Sequence, residues 1–268
     1  MNSSFYDDLS MYSWILLITF PVWLPFVIMI IKDKLKEKRN KKRIEYAKKA
    51  KAVIKPYFDK FLKDFGMMRC FSKILCPSFC NVVEKLDKEN GDIYIGELQW
   101  EILIKKIFRP RSRYSSNKNN SDEYIRVEKA ITICVLYDDG FNLPDFDLSR
   151  ESLKDKTIEL FGMSETEDID FDNDKEFSSA WWLTSEENML VKDLFTTNIR
   201  SFFMNYLDKN YRICGQRNAF FIMANKLIDP DNYSQITSDI KSIARCLRSN
   251  KKFYTPSFER DKEDTIKN

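Results

Sequence analysis

The most acidic stretch of the chain, residues 165–177, carries the residue type that could bind a metal ion. Its aspartates recur at every second position, and four of them form a candidate metal-ligand set: Asp168, Asp170, Asp172 and Asp174. Carboxylate oxygens are the ligands that hard divalent cations prefer, but the glycine and glutamate positions of an EF-hand loop are not met from either register. The competing interpretation is a short edge strand, on which alternating acids discourage edge-to-edge pairing.

The chain contains no histidine, which excludes most familiar catalytic sites. Ser-His-Asp and Cys-His catalysis, HExxH metal sites and His-containing zinc sites all need that side chain. The six glycines form neither a GxGxxG nor a GxxxxGK[ST] phosphate-binding loop. We therefore predict no catalytic residue and no cofactor. A carboxylate-based, divalent-metal-dependent enzyme using the acidic stretch is kept as the alternative function.

Two other groups of residues could bind ligands, and each has a simpler explanation. Cys76 and Cys80 are four residues apart and Cys70 lies six residues before Cys76. Without histidine a zinc site would need four thiolates, so small buried cysteines are the favoured interpretation. Six bases surround Tyr114 in residues 105–118, a pattern that could bind single-stranded nucleic acid or a phosphoinositide. Because one tyrosine is not a stacking platform, an exposed loop is favoured and nucleic acid is not an expected partner.

The element that positions the rest of the chain is an uncharged run at residues 11–31. It contains twelve Leu, Ile, Val or Phe residues, and as a helix it would span about 31 Å, close to the thickness of a bilayer's hydrocarbon core. No Lys or Arg precedes it, whereas eleven lie in residues 32–51. The length and composition of this run therefore predict a single-pass transmembrane helix. Because segments rich in Lys and Arg stay on the cytoplasmic side, residues 1–10 would lie outside and the remainder in the cytoplasm.

The next segment, residues 32–65, is predicted to be a basic juxtamembrane helix. Residues 32–64 carry fourteen bases against five acids, a net charge of +9, while the following 204 residues carry a net charge of −4. We expect a solvated helical stalk whose bases lie near anionic lipid headgroups. The candidate lipid contacts are Lys32, Lys34, Lys36, Lys38, Arg39, Lys41, Lys42 and Arg43.

The remaining residues, 66–249, predict an α+β domain in which an antiparallel sheet packs with helices. Alternating β-branched and aromatic residues predict strands at 92–108 and 124–137, separated by a loop at 109–123, and a hairpin at 211–224. A helix is predicted over 57–86. Further helices are predicted at 150–161 with Ser149 as the cap, at 184–195 from a Thr184/Glu187 capping box, at 198–207 and after Pro230. Residues 250–268 are predicted to be a flexible polar tail.

Part of this domain resembles an uncharacterised family of membrane-anchored bacterial proteins. The similar runs are FDLSRESLKDKTIELFG, DIDFDNDKEFS and SAWWLTSEENMLVKDLFT, within about residues 141–225, and the most specific piece joins Ile169-Asp170-Phe171-Asp172 to Glu176-Phe177-Ser178. The resemblance implies a folded bacterial-type domain without an established activity. Together with the membrane segment it favours a tethered binding or regulatory module, with the membrane and a protein as its partners.

Overall fold

The structure is a computed structural model that describes residues 3–65, 75–86, 91–105, 124–151, 168–206 and 210–255. Its first element is a single long helix, α1 (Ser3–Ala50), which joins the apolar segment to the basic one. Side chains of α1 are described from Trp23 onward, so residues 11–22 of the predicted membrane segment lie outside the described side chains. Across the part of the chain that is described, no helix is both long and apolar enough to cross a membrane. The transmembrane segment stays a prediction.

Eight antiparallel strands form one sheet, which confirms the predicted mixture of helices with an antiparallel sheet. The spatial order is β1-β2-β3-β4-β8-β7-β5-β6. The predicted strand at 124–137 is confirmed as β4, the predicted strand at 92–108 is confirmed as β3 over its described residues 92–105, and the predicted hairpin is confirmed as β7 and β8. The strand bounds are β1 Val53–Tyr57, β2 Leu75–Lys85, β3 Asp92–Lys105, β4 Tyr124–Tyr137, β5 Leu143–Arg150, β6 Trp181–Thr184, β7 Tyr211–Arg217 and β8 Ala219–Ala224.

Helices cover the two faces of this sheet unequally. One face, called the helical face below, packs against the end of α1 and against the helices that follow β5. On the opposite face, Phe58 and Phe61 join a second apolar cluster. The remaining helices are α2 Asp59–Phe65, α3 Lys175–Ala180, α4 Asn188–Leu194, α5 Thr197–Met204 and α6 Tyr233–Arg248, which follows a 3-10 turn at Pro230–Asn232.

Strand alternation explains how a single sheet serves both clusters. In β4, Ile133 and Val135 belong to the opposite face, whereas Cys134 and Leu136 belong to the helical face. Successive side chains of a strand point to opposite faces, so a central strand that is buried on both sides is apolar at nearly every position.

The predicted helices over 32–65 and 57–86 are wrong for residues 51–58 and 75–86, while residues 59–65 form the short α2 and residues 66–74 lie outside the described part. Helix α1 ends at Ala50, and Lys51 takes a left-handed backbone conformation with φ 52°. Pro56 lies in β1, which is an edge strand where a missing N–H is tolerated. Most of the remainder is β2, whose Phe79, Val82 and Val83 are all buried. Because β2 is buried on both faces, its hydrophobic residues show no period-two alternation, and the sequence does not distinguish this strand from a helix.

Two predicted helix starts are also wrong. Ser149 lies inside β5, where its partner is Trp182, and Thr184 ends β6 opposite Asp147. Helix α4 starts later, with Glu187 at its N-cap position. Serine and threonine favour caps through their side-chain hydrogen bonds, but strand pairing here engages the same backbone groups. The remainder of the predicted 150–161 helix, from residue 152, lies outside the described residues.

The beginning of the predicted flexible tail packs on the domain. Phe253 is 5% exposed, and Tyr254 forms a β-bridge with Phe141. The Thr255 N–H donates to the Gly140 carbonyl at 2.9 Å. A Cβ atom at Gly140 would lie 2.4 Å from the Tyr254 ring, so this contact requires glycine. The prediction is therefore wrong for 250–255, and residues 256–268 lie outside the described part.

Candidate functional site at the junction of helix α1 with the sheet

Helix α1 docks on one buried acid of the central sheet. Strand β3 places Glu97 on the helical face, where it is 5% exposed. Its Oε1 atom accepts hydrogen bonds from Arg39 Nε at 2.8 Å and from Arg43 Nη2 at 2.6 Å. Its Oε2 atom accepts from Asn81 Nδ2 at 2.9 Å and from Gln99 Nε2 at 3.2 Å. We call these five residues the Glu97 cluster.

A bulge in β2 brings Asn81 into the Glu97 cluster. The register between β2 and β3 shifts between Cys80 and Val83, and Asn81 has a φ of 55°. Asparagine is among the few residues other than glycine that adopt this left-handed conformation readily. Opposite the bulge, a Cβ atom at Gly96 would lie 2.8 Å from the Cys80 carbonyl oxygen. The close strand approach that orients Asn81 thus depends on glycine in β3.

The arginines keep Glu97 ionised despite its burial. Burial alone would raise the pKa of Glu97, but the hydrogen bond from Arg39 and the charge of Arg43 outweigh it, and the pKa is lowered. Each arginine has a further acceptor, since Arg39 Nη2 donates to the Ile228 carbonyl at 2.6 Å and Arg43 Nη1 donates to Asn40 Oδ1 at 2.7 Å. Charge-assisted hydrogen bonds of this kind are about twice as strong as neutral ones.

A second set of contacts joins α1 to the segment before α6. Lys42 Nζ lies 3.0 Å from Asp229 Oδ2 and 2.5 Å from Asp231 Oδ2. One turn later, the Tyr46 hydroxyl is 3.0 Å from Thr237 Oγ1, and its ring packs edge-on against Tyr233. The contacting positions of α1 are spaced three or four residues apart, so one face of the helix lies on the domain.

These contacts correct the prediction of a solvated stalk for this part of α1. Three of the eight candidate lipid contacts, Arg39, Lys42 and Arg43, bind carboxylates of the domain. Lys41 pairs within α1, with Glu37 at 2.7 Å. The others are exposed and stay candidates for headgroup contact: Lys32, Lys34, Lys36 and Lys38.

Two of the four aspartates proposed as metal ligands make structural hydrogen bonds, and the other two line one open pocket beside Lys175. Asp168 Oδ1 accepts from the Leu183 N–H at 2.9 Å. Asp174 caps α3 through Phe177 and binds Arg200 Nε at 2.6 Å. The other two, Asp170 and Asp172, are exposed. The competing interpretation as an acidic edge strand is wrong for the described residues, because residues 168–174 form no strand.

The residues that the structure describes provide no evidence for a metal centre. Among the residues that the structure describes, no group of three or more Cys, Asp or Glu side chains could hold a metal ion. Cys80 is buried, and burial raises the pKa of its thiol to about 11. Cys70 and the Cys76 side chain lie outside the described set, as do residues 106–123 of the predicted basic loop. The metal-dependent enzyme stays a prediction without structural support.

Mutating the aspartates separately should distinguish a capping role from a metal-binding role. Asp174→Ala is expected to lower the free energy of unfolding by about 1–2 kcal/mol, because α3 loses its cap and the buried Arg200 loses its carboxylate. The matched variant Asp172→Asn should change stability by less than about 0.5 kcal/mol. Urea unfolding measures both, and a metal site would instead show a calcium- or magnesium-dependent stability that Asp172→Asn removes.

Comparison with known proteins yields structural similarity at low sequence identity. No family model and no curated protein matches the chain. Among solved structures, the mycobacterial trehalose monomycolate transport factor A, TtfA, matches with a TM-score of 0.46 and 13% sequence identity, over 78% of this chain and 94% of that chain. This similarity is too distant to support a function. The resemblance to membrane-anchored bacterial proteins is not tested by it and stays a prediction.

Proposed function

We propose that the protein is a single-pass membrane protein whose α+β domain is a cytoplasmic binding module, held in a fixed position by α1. The observation that supports this proposal most directly is the exposed apolar part of α1. Every large apolar side chain in residues 23–31 is exposed, from Leu24 at 39% to Trp23 at 63%. A helical segment that is apolar on all sides is stable where its whole circumference is shielded from water, as in a bilayer.

The charge distribution supports the orientation. Residues 1–31 contain two acids and no base, and eleven bases follow within residues 32–51. A bias of this kind within ~15–20 residues of a membrane segment retains the basic side in the cytoplasm. Lys32, Lys34, Lys36 and Lys38 lie between the apolar segment and the Glu97 cluster, and they are exposed to anionic headgroups of that leaflet.

The Glu97 cluster gives the tether a mechanical role. Arg39 follows Ile31 by eight residues, which is about 12 Å of helix. The domain would therefore lie close to the membrane surface and present one face to partners in the same leaflet. Confinement of this kind raises the effective concentration of the domain for such partners without any new contact.

Paired arginine substitutions in α1 test the membrane segment. The apolar residues of segment 11–31 contribute about −4 to −7 kcal/mol to insertion, and each arginine near the centre costs about 3 kcal/mol. The double variant Phe20→Arg/Leu24→Arg, whose two positions flank the middle of the segment, should therefore move the full-length protein from the membrane pellet to the supernatant after alkaline carbonate extraction. The control Ile44→Arg changes an exposed apolar residue of the same helix, beyond the predicted membrane segment, and should stay in the pellet.

Reporter fusions test the orientation independently. A reporter active only in the cytoplasm should be active when it is fused after Asn268. Extracytoplasmic activity of that fusion would contradict the orientation, and release of the unmodified protein by carbonate would contradict the membrane anchor itself.

A further inference from the structure

A cleft of about 640 Å³ lies between the end of α1 and the first turns of α6. This volume falls within the range of small-molecule sites, roughly 300–1,000 Å³. Four ammonium groups line the cleft, two from α1, one from the end of β2 and one from α6: Lys42, Lys49, Lys85 and Lys241. Lysine is a common phosphate-binding residue, acting as a point charge.

The lining carries more positive than negative charge. Its two carboxylates, Glu45 and Asp231, each lie against a lysine, at 2.8 Å from Lys49 and 2.5 Å from Lys42. Lys42 also binds Asp229, which lies beside the lining. Four ammonium groups against these three carboxylates leave a net charge of +1, so an anion gains electrostatic energy in this cleft.

Hydroxyl groups on a rigid wall complement the lysines. Ser234 and Ser238 are four residues apart and exposed on the cleft side of α6. Between them Thr237 donates to the Tyr233 carbonyl at 2.7 Å and contacts the Tyr46 hydroxyl. The Tyr46 and Tyr233 rings pack edge to face with centroids 5.4 Å apart, which fixes α6 against α1. Hydroxyl donors at fixed positions beside ammonium groups are a suitable arrangement for phosphate oxygens.

We propose that this cleft binds a small soluble anion that carries two or more phosphate groups. The distance from the membrane favours a soluble source over a lipid headgroup. Lys42 and Lys49 follow Ile31 by 11 and 18 residues, which corresponds to about 16 Å and 27 Å along the helix. The headgroup layer on one side of a bilayer is only ~5–8 Å thick. The cleft itself requires neither the membrane nor a protein partner, whereas the choice of a soluble source rests on the proposed membrane segment.

Calorimetric titration with pyrophosphate tests the proposal on the full-length protein in phosphatidylcholine nanodiscs. Lys85→Gln/Lys241→Gln removes two charges from the cleft, and Lys192→Gln/Lys251→Gln removes two from exposed positions elsewhere. Because hydrogen bonds from charged donors to phosphate are strong, the cleft variant should weaken pyrophosphate binding by at least tenfold. The control should change it by less than about twofold. Absence of binding by the unmodified protein at millimolar pyrophosphate, or an equal loss in both variants, would overturn the proposal.

Two further measurements separate the remaining outcomes. On the unmodified protein, pyrophosphate should protect Lys85 and Lys241 from chemical acetylation but leave Lys192 reactive, which tests the site even if the cleft variant unfolds. Equal acetylation of all three with and without pyrophosphate would contradict the site. Nanodiscs containing phosphatidylglycerol should leave pyrophosphate binding unchanged at constant ionic strength. If they abolish it through the same lysines, the phosphate comes from a lipid headgroup and the soluble source is wrong.

Discussion

Glu97→Ala is expected to lower the free energy of unfolding by about 3–5 kcal/mol, because it leaves buried arginine without a counter-charge. Arg43 is 4% exposed, and both it and Arg39 bind the same Glu97 oxygen. Removing the carboxylate leaves these guanidinium groups without a counter-charge at the interface between α1 and the sheet. Urea unfolding of the full-length protein in detergent measures the loss.

The control for this prediction is an exposed acid of the neighbouring strand. Glu128→Ala in β4 removes the same side chain from an exposed position, and it should change the free energy of unfolding by no more than about 0.5 kcal/mol. Equal effects of Glu97→Ala and Glu128→Ala would show that the buried cluster does not stabilise the fold.

Acid should reproduce the effect of the mutation in the unmodified protein. The pKa of Glu97 is lowered from its ordinary value of 4.5, so its contribution to stability is complete above that value and is lost as the pH falls through the lower, folded-state pKa. The stability difference between the unmodified protein and Glu97→Ala should therefore narrow below pH 4.5. A constant difference down to the acid-unfolding range would contradict the role of the charge.

The second large effect is expected on the opposite face of the sheet, at a buried pair between β5 and β7. Arg212 donates from Nε to Asp147 Oδ1 at 2.8 Å and from Nη2 to Oδ2, and the Arg212 residue is 5% exposed. Asp147→Ala is expected to lower the free energy of unfolding by about 3–5 kcal/mol, since the buried guanidinium loses its bidentate acceptor.

A double variant distinguishes the cost of an unpaired buried charge from the cost of lost side-chain packing at this pair. Asp147→Leu/Arg212→Met replaces both groups by apolar ones of similar volume, and such replacements are often neutral or stabilising. We therefore expect the double variant to unfold at a higher urea concentration than Asp147→Ala. If it is as unstable as the single variant, the pair acts through its shape and not through its charge.

The strands that could be predicted from the sequence are those with an unambiguous local signal. β3 and β4 were correct because their β-branched and aromatic residues form long runs bounded by turn residues, and the β7–β8 hairpin follows the same pattern. β2 was missed because Phe79, Val82 and Val83 are buried on both faces, so its composition does not distinguish a strand from a buried helix.

The junction of α1 with the sheet could not be predicted because its parts are distant in the sequence. Arg39 and Glu97 are 58 residues apart, and Lys42 and Asp229 are 187 residues apart. The local pattern gives only a weak signal, because the face of β3 that carries Glu97 runs from the apolar Ile93 and Ile95 to the polar Gln99 and Glu101. A buried acid requires a cation, but residues 32–51 and residues 105–118 both carry a large excess of bases, so the sequence does not single out its partner. Tyr46 and Ala47 were too few to indicate a packed face by themselves.

The roles of the aspartates in the acidic stretch could not all be predicted from residue type and spacing alone. Asp174 precedes a helix and could have been recognised as its cap from position alone. The hydrogen bond of Asp168 to the β6 backbone depends on a fold that brings residues 168 and 183 together. The periodic run of carboxylates therefore contains two residues with structural hydrogen bonds, Asp168 and Asp174, and two that line one open pocket, Asp170 and Asp172.

The central claim is that the end of α1 is part of the folded domain and not an independent stalk, and amide hydrogen exchange tests it most directly. In the full-length protein in phosphatidylcholine nanodiscs, we expect amides of residues 43–50 to exchange with the same opening free energy as those of β3 and β4. In Glu97→Ala they should exchange faster than the strands. If residues 43–50 of the unmodified protein exchange like an isolated helix, by local fraying while β3 and β4 remain protected, α1 is not docked and the claim is wrong.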